Sequence, residues 1–250
     1  MRKYLAIFLL PALLGLTACA NHKISETPVV GPALDSMTGM HDETEARLST
    51  AANNAVAEGK TQEALSFYSK LYKSNPTQDT ALNYAQLLRK TGKTEQAVKI
   101  LSHYVYGRDG SIRGSAKPIT LNEFAAANIE VGKYDIAEEA LNKVLEDNKA
   151  AAFHADAENL LGLILSAQNK QKEAEQYYRL ALDKWKGDPS SVMNNLGLCL
   201  ASQGLFDQSL TILRQALIKA PHNEEIARNI EMVTKLRQAV VPKAPISVTK

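Results

Sequence analysis

Few residues in this 250-residue chain are placed to do chemistry. Cys19 and Cys199 are its two cysteines, and a thiol offers acylation, disulfide formation or metal ligation. The five histidines, His22, His41, His103, His154 and His222, are scattered along the chain. No His-Glu-x-x-His, Cys-x-x-Cys or Gly-x-Ser-x-Gly pattern brings a base, ligand or nucleophile into register. The acids of "DIAEEALNK", residues 135–143, read as a solvated helical face beside an apolar stripe rather than a proton-transfer pair. No catalytic residue and no metal site is assigned, and the chain is expected not to be an enzyme.

The chemistry that remains is at Cys19, and the elements around it say which kind. Arg2 and Lys3 precede an apolar run from Tyr4 to Leu16 that matches a signal-peptide core and falls short of the ~20 residues of a membrane span. The stretch Leu16-Thr17-Ala18-Cys19 resembles the bacterial lipobox. That resemblance implies a diacylglyceryl thioether on Cys19, cleavage just before it and acylation of its new amino group, an anchor of several chains where one is marginal. An ordinary secretory signal with an incidental cysteine is the other reading. The expected order is a signal peptide over 1–18 and a lipid-anchored tether over 19–44, with Pro28, Gly31, Pro32 and Gly39 and no clear period. Ala20, rather than an aspartate, follows the cysteine, which for a Gram-negative source points to the outer membrane with the body in the periplasm. No cofactor is expected beyond the covalent lipid. Cys199, left without a disulfide partner, reads as a small buried hydrophobe.

Charge narrows the partners. Without Arg2 and Lys3 the chain carries 27 basic against 27 acidic side chains, so no nucleic-acid footprint is present. No small-molecule substrate is expected either.

The main organisational feature is a recurring unit. In "NNLGLCLASQGLFDQSLTILRQALIKAP", residues 194–221, Leu196-Gly197 is followed by Leu200, Gly204, Phe206, Ser209, Leu213, Ala216-Leu217 and Pro221. The same grammar recurs upstream, and the small residues Ala52, Ala85, Ala125, Gly162 and Gly197 lie 33, 40, 37 and 35 apart. Gly59, Gly92, Gly132 and Gly204 fall where a helix has to end in a left-handed residue. This pattern resembles the tetratricopeptide repeat, with Ser209 where that family usually has alanine. The resemblance implies an all-α, right-handed superhelical solenoid of about five helix–turn–helix units and a C-terminal capping helix. The units are expected near 45–77, 78–111, 118–151, 155–188 and 190–223, the cap at 224–238, and an extended or disordered tail at 239–250. The first unit is the weakest match. "GRDGSIRGSAKP", residues 107–118, interrupts the spacing and reads as a surface loop, or as a partner contact through Arg108, Arg113 and Lys117. Trp185 reads as packing at a repeat junction.

In that family the first helices line a groove for peptides. Carried over, one row is Asn53, Gln86, Ala126, Leu163, Leu198 and Met232, and its neighbour is Leu82, Asn122, Asn159, Asn194 and Arg228. The expected seat is units three to five, through Asn122, Ala126, Asn159, Leu163, Asn194, Leu198, Arg228 and Met232. Apolar residues would hold an amphipathic segment, and amides would bond its backbone. The lipobox, the tether and the asparagine-bearing last repeats together resemble the TadD lipoproteins of the tight-adherence (Tad/Flp) pilus. That resemblance implies a pilotin-like assembly factor whose partner is a secretin subunit or another pilus component. A type IV pilus pilotin and an accessory of outer-membrane-protein assembly or of the cell wall are the alternatives.

Overall fold

The computed structural model describes residues 39–240, with side chains from Thr44 onward. Cys19, the apolar leader and most of the expected tether lie outside the described residues, as does 241–250.

The described chain is all-α. Ten helices form five antiparallel pairs: α1 (Gly39–Ala57) with α2 (Thr61–Ser74), α3 (Gln78–Lys90) with α4 (Thr94–Val105), and α5 (Pro118–Glu130) with α6 (Tyr134–Glu146). A 3-10 turn over Asn148–Phe153 leads into α7 (His154–Ala167), paired with α8 (Gln171–Lys184), followed by α9 (Ser190–Ser202) with α10 (Phe206–Lys219). An eleventh helix, α11 (Glu224–Val240), packs on α10 and α9. The chain divides within α7 into two compact bodies, residues up to 160 and residues from 161.

One turn closes every pair. The first helix ends on a residue of positive φ: Gly59 (71°), Gly92 (76°), Gly132 (75°), Asn169 (63°) and Gly204 (78°). In each turn the next amide bonds the carbonyl five residues back, as Lys60 does to Ala55 (2.8 Å) and Lys170 to Leu165 (2.9 Å). The left-handed residue itself bonds three back, as Gly59 does to Val56 (3.1 Å) and Asn169 to Ser166 (3.1 Å). These are the two bonds of the Schellman cap, which satisfies carbonyls the helix end leaves open. The fourth unit has no glycine at this place, and Asn169 does its work, since asparagine tolerates the left-handed region better than other side chains.

The small residues are where the paired helices cross. Ala52, Ala85 and Ala125 of the first helices are fully buried, and so are Ala64, Ala97 and Ala137 of the second helices. In the C-terminal body the crossing is tighter. A Cβ on Gly162 would lie 2.6 Å from the Tyr178 ring, and one on Gly197 2.6 Å from Leu213. Ser209, in the alanine position, donates to the Gly197 carbonyl at 2.6 Å, so its buried hydroxyl is satisfied.

Two boundaries differ from expectation. α1 begins at Gly39, inside the stretch read as tether, because 39–44 carry no apolar period to signal a helix. α11 continues to Val240, two residues into the expected tail. The first unit, the weakest in sequence, forms its helix pair, with Ala52, Ala64, Tyr68 and Leu71 buried.

Candidate binding face

In the N-terminal body the groove positions are mostly occupied by the protein itself. Asn53 accepts from the Tyr68 hydroxyl at 2.7 Å. Leu82 is buried and Gln86 half-buried. α5 is buried from Thr120 through Ile129, which takes in both Asn122 and Ala126. The Asn122 amide donates to the Phe153 carbonyl at 3.0 Å, while its Oδ1 is buried without a protein partner. Asn159 is buried on α7. Of the amide row expected to bond a peptide backbone, Asn122 already has its donor engaged within the protein. Asn122 spends its donor on the backbone ahead of the next unit, because a buried amide without a partner costs about 1–3 kcal/mol.

Sequence reasoning missed a largely buried polar cluster in this body. Arg89 of α3 places Nε 2.7 Å from Glu123 Oε1 and Nη1 2.6 Å from Glu130 Oε1, both on α5. The Thr94 hydroxyl donates to Glu130 Oε2 at 2.9 Å. The Arg89 and Glu123 side chains are each 8% exposed. Burial works against the charge on Arg89, but the two carboxylates outweigh it and hold the guanidinium protonated. Its partners lie 34 and 41 residues away, about one repeat. An arginine in one first helix and two glutamates seven apart in the next was the available signal.

The loop after α4 is tied down beside the same helices. Tyr106 pairs with Ile112 across it, and the Tyr106 ring meets Phe124 edge-on at 5.7 Å. Lys117 reaches Asp79 at 2.6 Å, its backbone amide donates to Gln78 Oε1 at 2.6 Å, and Gln78 donates back to the Ser115 carbonyl at 3.2 Å. Arg113 donates to the Tyr106 carbonyl. Of the three cations read as a basic patch, two are thus engaged in fixing the loop.

In the C-terminal body Asn194 is buried and accepts from the Asn229 amide at 2.8 Å, which ties α9 to α11. Asn229 was missed because its role depends on a partner 35 residues away. Leu163 is half-buried and packs on a cluster built around Tyr178, Val192, Leu196 and Leu200. Leu198, four residues after Asn194, is half-buried. Trp185 packs on the same cluster and donates to the Asp188 carbonyl at 3.0 Å, a junction role. Cys199 is buried, its thiol donates to the Gln171 carbonyl at 3.1 Å, and burial pushes it up to about 11.

The accessible part of the predicted rows is on α11. Met232 is 36% exposed, and it lines a shallow hollow with Arg228, Glu231, Lys235, Leu236 and Ala239. Arg228 meets Glu224 at 3.3 Å and Lys235 meets Glu231 at 2.6 Å, all four side chains largely in solvent. The Lys235 ammonium holds Glu231 below the usual carboxylate range through its hydrogen bond and its charge. Among the described residues no cluster of three or more metal-ligating side chains is present, and no helix is long and apolar enough to cross a membrane. The arrangement offers surface and hydrogen bonds, which is the chemistry of holding a polypeptide.

Comparison with known proteins supports this description of the fold. Tetratricopeptide-repeat models match residues 55–111, 124–189 and 190–220, together more than half of the chain. No curated protein matches the sequence. The chain is similar to TTC0263, a tetratricopeptide-repeat protein of Thermus thermophilus, at 17% identity and a TM-score of 0.63, covering 76% of this chain and 99% of that one. A second likeness is to a chain of the APC/C hetero-tetramer Cut9–Hcn1, at 15% identity and a TM-score of 0.63. It covers 80% of this chain and 38% of that one. A third is to a tetratricopeptide-repeat protein of Parabacteroides merdae, at 16% identity and a TM-score of 0.51, over 78% and 73% of the two chains. At these identities the likeness is one of fold.

Proposed function

Because the chain belongs to the tetratricopeptide-repeat family, a fold of protein-interaction scaffolds, we propose that it holds a segment of a partner protein along the first helices of its repeats. The carrying observation is the open apolar face at Met232, which continues the row Leu163 and Leu198 in equivalent positions of successive units. The scaffold is anchored at the outer membrane by lipid on Cys19, with its body in the periplasm. The lipid supplies location and the repeats supply capture. With the TadD-like pattern of lipobox, tether and asparagine-bearing last repeats, this reading becomes a pilotin-like assembly factor of a Tad/Flp pilus. Its partner is then a secretin subunit or another component of that machinery.

The test is capture of partners from detergent-solubilised envelopes with the full-length lipoprotein after brief crosslinking, with Cys19→Ser beside it. Recovery of a secretin subunit, lost or mislocalised with the serine variant, supports the pilotin role. Recovery of barrel-assembly or cell-wall components in its place removes the pilus assignment and leaves an adaptor. A Leu163→Glu, Leu198→Glu variant that folds and still captures its partner undiminished rules out the row of first helices as the seat.

A further inference from the structure

We infer that the contact between α5 and unit two is autoinhibitory: it covers the third unit's share of the binding row and opens to release it. Its use rests on the scaffold reading above. Asn122 and Ala126, the seat residues of unit three, are 7% and 8% exposed, so a partner segment cannot lie on them while α5 is packed in this way. The cover comes from the chain itself. α5 packs on α3, α4 and α6, and on the 3-10 turn ahead of α7. Ala126 is three residues past Glu123 and four before Glu130, on the helical face that the Arg89 guanidinium of α3 spans.

The chemistry of this contact favours its release. Thr120, Phe124 and Asn128 recur four apart on α5, and the Phe124 ring meets Tyr106 at the end of α4. The two polar members of that stripe are fully buried, and no group among the described residues satisfies Thr120 Oγ1 or Asn128 Oδ1. Water reaches both oxygens when α5 leaves α4, so regained hydration offsets part of the cost of parting. The Arg89 cluster behaves alike. Burial takes water from Arg89 and Glu123 and in part from Glu130, and their mutual attraction roughly offsets that loss. The cluster therefore fixes register and adds little cohesion. Opening returns all three groups to water together, whereas removal of Arg89 alone leaves the two glutamates without their cation. Residues 106–117 separate α4 from α5, a connection long enough for the helices to part without unwinding. Its tie from Lys117 to Asp79 is an exposed pair, of the kind that contributes little.

The experiment adds Ala126→Cys as a reporter to the full chain carrying Cys19→Ser, in which Cys199 is the control thiol. Asn122→Cys replaces the reporter if Ala126→Cys does not fold by circular dichroism. Iodoacetamide labelling of each thiol is read by mass spectrometry across a series of urea concentrations below the unfolding transition. Labelling of the reporter is expected to depend weakly on urea, as a local opening does, and less steeply than global unfolding followed by circular dichroism. Thr120→Val with Asn128→Leu removes both orphaned oxygens and is expected to slow reporter labelling about tenfold while its urea dependence stays shallow. In the lipidated chain the same double variant is expected to capture less partner from crosslinked envelopes. A reporter slope as steep as that of global unfolding overturns the opening. An unchanged labelling rate in the double variant overturns the role of the buried oxygens. Capture that is undiminished by the double variant but reduced by Leu163→Glu, Leu198→Glu overturns the autoinhibitory role and keeps the scaffold reading. Capture undiminished by either set of variants overturns both.

Discussion

Two glycines show how much a single missing methyl decides. Gly162 and Gly197 sit mid-helix, where glycine costs about 1 kcal/mol relative to alanine. Each is retained against that cost where a side chain of the paired helix fills the space. For Gly162→Ala the new Cβ would meet Tyr178 at 2.6 Å, and the Tyr178 hydroxyl is itself 3.2 Å from Ser166, so the ring has little room to move. Overpacking of this kind costs about 1–3 kcal/mol and exceeds the gain in helix propensity. Urea denaturation of Gly162→Ala is expected to show a lower midpoint at an unchanged slope. A raised midpoint would mean that the crossing is looser than described.

Cys199 gives a residue-scale prediction in pH. A thiol raised from 9.0 to about 11 is neutral at pH 8, with a thiolate fraction about 100-fold below that of an unperturbed group. In the Cys19→Ser chain, Cys199 is the remaining thiol. It is expected to react with iodoacetamide at pH 8 slowly in the folded state and rapidly in urea. The folded state holds the proton more tightly than the unfolded one, so stability from this group is complete below pH 9 and falls as pH rises toward 11. Equal rates of alkylation in both states would contradict the burial.

At the scale of elements, the junction between the second and third units departs from the others. It has the long insertion between α4 and α5, where longer connections specify register less tightly. Polar contacts pin the two first helices at both ends. Gln78 and Asp79 hold Ser115 and Lys117 at one end, and Arg89 holds Glu123 and Glu130 at the other. The outer contact is exposed and screened by salt, whereas the buried one leaves a costly orphan when broken. Arg89→Met is expected to lower stability by about 3–5 kcal/mol, because the buried Glu123 carboxylate and the partly buried Glu130 carboxylate then lose their cation. Arg89→Met with Glu123→Leu and Glu130→Leu is expected to recover most of that loss. If the triple variant is no better than the single one, the packing of α3 on α5, and not the charges, carries the junction.

The elements were legible where they repeat. The turn glycines, the small crossing residues and the spacing of larger apolar residues located the helix pairs, because the same local rule recurs in each. Asn169 escaped, since its left-handed role is one asparagine rarely announces. Residues 39–44 escaped because a helix without an apolar stripe leaves no period to read. The first-helix rows rest on repeat spacing, which does not say which of their amides are already bonded within the protein. Asn122 and Asn194 lie on α5 and α9, and their amides are bonded to Phe153 and Asn229. Those bonds join residues 31 and 35 apart, and no single repeat contains the information to foresee them.

For the whole molecule, the proposal separates location from capture. Cys19→Ser is expected to move the protein from the outer-membrane fraction to the soluble periplasmic fraction without changing its helical content. Met232→Glu is expected to leave it in the membrane and weaken partner recovery. Fractionation followed by immunoblotting reads the first, and crosslinked capture reads the second. If the serine variant stays with the membrane at high salt and after mild alkali, the lipid is not what holds it.

The turn that ends each first helix closes with bonds reaching only three and five residues back along the chain. Structure this local forms early, since little loop entropy is lost before its contacts are made. Each helical pair is therefore able to assemble from its own short stretch of chain, in order from the amino end, while later stretches are still unfolded. Contacts between units wait longer, the Arg89 cluster for residues 34 and 41 positions downstream and Asn194 for Asn229, 35 downstream. Refolding is accordingly expected in two kinetic phases, and Arg89→Met is expected to alter the later one while leaving the earlier unchanged.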